Sequence, residues 1–193
     1  MTRDEVGSRE EVERIRRVAD QLCTGHAALR DRYARRAVTL DIVILLLSAW
    51  LSALAFLDPR FDKWLVPFAL DSQLWIGLMG VLTFCLTLIQ LKLDWAGKSE
   101  AHKRTFGMYA EVKREAGYLL ASATKIPARE FQRLAARYDM ASDIGIGVPE
   151  GEFLPLKQRH KIKVEISKLL DRKPGASLLL TRLKLFFRDN KPW

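Results

Sequence analysis

A chain of 193 residues with 32 Lys and Arg against 23 Asp and Glu, a net charge of +9, has room for one domain or for one domain and a tail. Its mean hydropathy is close to neutral, yet apolar and charged residues are segregated along it rather than mixed. Two cysteines without ligand spacing, and three scattered histidines with no nucleophile beside a base, argue against a disulfide framework, a metal centre, a bound cofactor and an enzyme.

In chain order, Ser8-Arg9-Glu10-Glu11 has the form of a capping box that opens a helix. Val12, Ile15, Ala19, Leu22, His26, Leu29 and Tyr33 then recur at alternating intervals of three and four, a seam for packing against a partner helix. No proline interrupts this pattern before a run of 20 mostly apolar residues, Val38–Leu57, and only Gly25 weakens it. A second such run, Leu74–Leu93, follows after a short connection. Each gives about 30 Å of helix, the thickness of a bilayer's hydrocarbon core. Neither offers enough polar residues for the wet face that a soluble core helix keeps. The first 36 residues, long and rich in charge, distinguish the first run from a secretory signal.

Lys and Arg set the expected orientation. Nine Arg precede the first run, and Lys98, Lys103, Arg104, Lys113 and Arg114 follow the second. The connection holds Arg60 and Lys63 against Asp58, Asp62 and Asp71. Both termini are thus expected in the cytoplasm, which leaves Cys23 in a reducing compartment and Cys85 within the membrane. In the connection, Phe61, Trp64, Leu65 and Phe68 share one side of a short helix after Asp58-Pro59, as an interfacial helix would. The second span is expected to continue as one helix to about Ala123, with Trp95, Phe106, Tyr109, Val112, Ala116, Leu119 and Leu120 on one face. Pro127 opens a helix to about Met140, striped by Phe131, Leu134, Ala135 and Tyr138. Residues 144–155 read as a linker, since their glycines lack the rest of a phosphate loop. Two basic amphipathic segments follow within 156–193, the first with Ile162, Ile166, Leu169 and Leu170 as its apolar side.

The expected fold class is therefore an all-α membrane protein. A two-helix transmembrane hairpin would carry long cytoplasmic helical extensions, residues 8–36 and 94–140, and a C-terminal amphipathic region. Polar residues inside a membrane are costly, so their positions inform. Asp41, Ser48 and Ser52 occupy one sector of the first span, and Gly80, Thr83, Thr87 and Gln90, with Asp94, one sector of the second. Antiparallel spans would set Asp41 level with Gln90 and Ser48 level with Thr83. Several copies could turn these stripes toward a shared axis and form a polar-lined pore, with Asp41 drawing cations. The same stripes also serve plain helix packing. His26 and His102 fall at similar distances from their spans; a shared metal or pH switch and an ordinary packing role are both open. Residues 153–193 carry eleven Lys and Arg against Glu165, Asp171 and Asp189, which suits an anionic leaflet. Nucleic acid is the partner with least support, because no aromatic stacking platform accompanies the charge.

At the second span and its exit, Leu93-Asp94-Trp95-Ala96-Gly97-Lys98-Ser99-Glu100-Ala101-His102-Lys103, with Tyr109 seven residues later and Ile126-Pro127 beyond, resembles the SLATT family of two-transmembrane effector domains. The resemblance covers roughly residues 10–170. It implies a homo-oligomeric pore-forming effector of bacterial antiphage defence, which permeabilises the inner membrane when a nucleotide-signalling enzyme or sensor protein triggers it. It further implies structural or gating roles for Trp95, His102 and Tyr109. The alternative expectation is a non-conducting anchor or scaffold that recruits a cytoplasmic partner.

Overall fold

A computed structural model describes residues 3–56, 66, 71–122 and 126–190, with side chains from residue 9 onward. Among these residues all regular structure is α-helical: α1 (Arg3–Phe56), α2 (Ser72–Leu93), α3 (Trp95–Ser122), α4 (Ala128–Ile144), α5 (Glu150–Arg172) and α6 (Leu178–Asp189). The expected helix over Phe61, Trp64, Leu65 and Phe68 lies outside the described residues. The chain divides into two compact units, residues 1–29 with 101–193, and residues 30–100.

The first unit is held by the seam read from the sequence. Val12, Ile15, Ala19 and Cys23 of α1 are buried against Tyr109, Val112 and Ala116 of α3, with Leu134 and Ala141 of α4 completing the core. Ala19 and Ala116 have no exposed surface, and side chains that small let the helices approach closely. Polar contacts fix the register along this packing. Arg9 donates to the Leu120 carbonyl at 3.3 Å, and Lys113 Nζ lies 2.7 Å from Asp20 Oδ1. Partner numbers fall on α3 as they rise on α1, so these two segments run antiparallel. Gly25 does not interrupt α1: it is buried, and a Cβ there would make only ordinary contact with Leu156.

In the second unit most of the described apolar side chains are exposed, Leu54 at 4 % being a buried exception. No residue of α2 is buried, and Leu45, Phe84 and Leu91 are 68 %, 63 % and 79 % exposed. A soluble protein would bury such residues rather than present them as a continuous surface. Both helices are long and apolar enough to cross a membrane.

Four helix boundaries differ from expectation. α1 begins at Arg3, so Ser8 lies inside the helix and not at its cap. The second long helix is broken at Asp94, a left-handed residue (φ 42°, ψ 54°) that ends α2 and starts α3. Asp94 tolerates this backbone because its carboxylate accepts the Gly97 amide at 3.0 Å, an N-cap bond. A Cβ at position 97 would collide with that carboxylate, which explains the glycine. α4 runs on to Ile144, four residues beyond Met140. Finally, α5 starts at Glu150, with Glu150 and Glu152 favourably placed in its first turn, and Pro155 sits inside it rather than before it. The intervening strip, residues 145–149, is pinned to α3: Ile146 N donates to Thr105 Oγ1 at 3.0 Å, and a Cβ on Gly145 would crowd Thr105.

Candidate functional site

The α1 seam carries one polar residue at an inward position, His26, and α3 presents His102 at the matching level. Both are fully enclosed, 1 % and 2 % exposed. Their Nδ1 atoms are 3.0 Å apart and their ring centroids 5.2 Å. Tyr109, two turns along α3, stacks on His26 at 5.8 Å with planes 13° apart. Its hydroxyl is 3.2 Å from Ser142 Oγ on α4, and its ring meets the edge of Tyr138 at 6.2 Å. Three helices thus contribute to one aromatic, hydrogen-bonded cluster.

Burial sets the electrostatics. Desolvation, reinforced by the neighbouring His102, pushes His26 down to about 4 from 6.5, and desolvation also lowers His102. A third buried histidine contacts α1: His160 Nδ1 is 3.0 Å from Thr24 Oγ1. Burial lowers His160 as well; Asp20 opposes the shift, while Lys161, Lys163 and Lys113 add to it. Burial likewise raises the Cys23 thiol to about 11. All three imidazoles are therefore neutral at pH 7, and the first two are sealed from solvent. The packing of α1 against α3 thus encloses the His26–His102 pair. Two imidazole nitrogens converge here, but among the described residues no group of three or more His, Cys, Asp or Glu could hold a metal ion.

The polar residues of the apolar helices divide in two. Gln90 Nε2 donates to Asp41 Oδ1, joining the pair expected at one level. The hydroxyls of Ser52, Thr83 and Thr87 instead donate to carbonyls four residues back in their own helices, Ser48, Met79 and Thr83, at 2.8–2.9 Å. A Cβ at Gly80 would meet nothing, so that face is open. Nearer the ends of these helices, Ser99 Oγ donates to the Arg30 carbonyl at 3.0 Å and the Arg36 guanidinium lies 5.9 Å from the Trp95 ring centre. Trp95 belongs to this unit, whereas His102 and Tyr109 belong to the buried cluster of the other.

Thr24, Thr105 and His160 were not singled out by sequence, although all three are buried and bond across the fold. Their partners stand 136 and 41 residues away, where no local pattern reaches. No protein-family model matches the chain, and neither a curated protein nor a solved structure matches it.

Proposed function

We propose that this chain is a pore-forming membrane effector that self-associates in a bacterial inner membrane and permeabilises it when a partner or nucleotide signal acts on the cytoplasmic helices. The observation that carries this reading is the second unit: two largely exposed apolar helices whose runs Val38–Leu57 and Leu74–Leu93 hold one carboxylate, Asp41, hydrogen-bonded to Gln90. A charge at such a depth is expensive unless it faces protein or water. The contact pairs Arg30 with Ser99, Arg36 with Trp95 and Asp41 with Gln90 support a hairpin whose spans run in opposite directions. Several hairpins would hide the Asp41–Gln90 stripe from lipid around a common axis. The resemblance to SLATT effectors supplies the defence context. The buried His26–His102–Tyr109 cluster offers a packing element for the trigger to shift, with α1 moving against α3.

Asp41→Ala tests the pathway. A unit charge about 4 Å from a passing ion is worth ~1 kcal/mol even in water, and a ring of them more. Cation flux from liposomes, and depolarisation on expression, should therefore fall about tenfold with membrane insertion retained. Unchanged flux and unchanged killing would refute an Asp41-lined route.

A second reading, a non-conducting anchor that recruits a partner, is favoured by the self-satisfied hydroxyls of Ser52, Thr83 and Thr87, which need neither water nor a neighbouring copy. It predicts no leakage from liposomes at any oligomeric state.

A further inference from the structure

The C-terminal helix α6 has a buried side and an uncovered one. Thr181 and Leu185 turn inward, while at 100° per residue Leu179, Leu180, Leu183, Phe186 and Phe187 fall in an arc of about 120° on the far side. These five residues are between 57 % and 76 % exposed. Arg182 borders the arc on one edge and Lys184 on the other, and both are exposed. One edge of this arc, Leu179 and Leu183, borders an open groove of about 980 Å³ that Ile162 and Ile166 of α5 complete and Lys161 and Arg182 rim. On the outer side of α5, Lys157, Lys161, Lys168 and Arg172 form an exposed stripe at intervals of three to four residues or whole turns. Two of the three acids in this region are engaged by basic neighbours: Lys168 lies 3.3 Å from Glu165, and Arg188 lies 2.7 Å from Asp189.

An apolar arc flanked by cations, on a helix too short to span, is the pattern of a helix lying in the plane of a membrane surface. We infer that α6 seats its Leu179–Phe187 face in the headgroup boundary of an anionic leaflet, with Arg182, Lys184 and the α5 stripe held to lipid phosphates. Charge selects this occupant over a second copy of the chain. Eleven Lys and Arg against three acids in residues 153–193 would set like charge against like charge when two copies meet face to face, whereas phosphates complement them. The inference rests on the spanning reading, because only a chain anchored in the bilayer keeps α6 near a leaflet. It adds a contact that neither span makes and assigns a role to the basic tail.

The full-length chain in nanodiscs tests it, using an environment-sensitive fluorophore on a single cysteine and nitroxide-bearing lipid as quencher. In a Cys23→Ala/Cys85→Ser background, Phe187→Cys carries the probe; in Cys23→Ala alone, native Cys85 reports on α2. With phosphatidylglycerol present, lipid nitroxide should quench both probes. In phosphatidylcholine alone, only the Cys85 probe should stay quenched. Each removed cation weakens leaflet binding about fivefold, so Arg182→Gln, Lys184→Gln and Lys157→Gln together should weaken it about a hundredfold and abolish quenching at position 187. A position-187 probe that remains in water in anionic discs while Cys85 is quenched overturns the inference and leaves the spans intact. Protection of position 187 in lipid-free detergent that grows with protein concentration assigns the face to a second copy and also overturns it. A Cys85 probe that escapes lipid quenching overturns the spanning reading, and this inference with it.

Discussion

Acidification from pH 7.5 to 5 should lower the thermal midpoint of the detergent-solubilised protein by roughly 5–10 °C. His26 binds its proton at about 4 when folded and near 6.5 when unfolded. Below 6.5 the unfolded chain therefore binds more protons than the native one, so stability is present above that pH and is lost as pH falls toward 4. The depressed value corresponds to about 2 kcal/mol at pH 5 and about 3 kcal/mol near pH 4. His102 and His160, also lowered, act in the same sense. Replacing both rings of the pair, His26→Phe with His102→Phe, should flatten most of this dependence, because two apolar rings can substitute for a hydrogen-bonded pair at little cost. His26→Phe alone should be worse than the double change, since it takes from the buried His102 Nδ1 the partner it has at 3.0 Å. A midpoint that is level between pH 7.5 and 5 would exclude a neutral, sealed pair.

Leu134→Ala should cost about 2–5 kcal/mol, the range for emptying a fully packed leucine site. Leu134 is wholly enclosed between α1, α3 and α4, and the helices around it meet through small residues that cannot collapse into the void. Leu45→Ala removes the same atoms from a side chain that is 68 % exposed, and should change the unfolding midpoint of the same preparation by little. The contrast separates a protein-packed core from a surface that takes its contacts from lipid or detergent. Equal losses at the two sites would mean that the second unit's apolar face is covered by protein.

Periodicity made most of the helices legible. The Val12–Leu29 seam and the Phe131–Tyr138 stripe are buried or half-buried where a spacing of three and four puts them, and the described parts of the two apolar runs are largely exposed helices. Asp94 was read as one more polar residue of a continuous helix. Its left-handed backbone depends on the cap to Gly97, a pairing of Asp with Gly three residues on that sequence does carry as a faint signal. A linker over 144–155 leaves the helix to start only after Pro155, yet the stronger signal is the pair of glutamates after Pro149, which suit a first turn. The site was half legible. That His26 and His102 stand at similar distances from the apolar runs follows from counting residues; that their nitrogens meet at 3.0 Å follows from how α1 and α3 dock. Thr24 with His160 has no counterpart in local pattern at all, because the two are joined only by tertiary packing.

Within the second unit α1 holds helical hydrogen bonding through residues 30–56 without a joint, so the side chains there share one angular reference. One residue inserted between 36 and 41 would turn Asp41 by about 100° relative to Arg36, and seven would bring it back to within about 20°. The azimuth of the only carboxylate in the first apolar run is thus inherited from the Arg36–Trp95 contact just over one turn away, and the length of chain between them is as much a determinant of that azimuth as its composition.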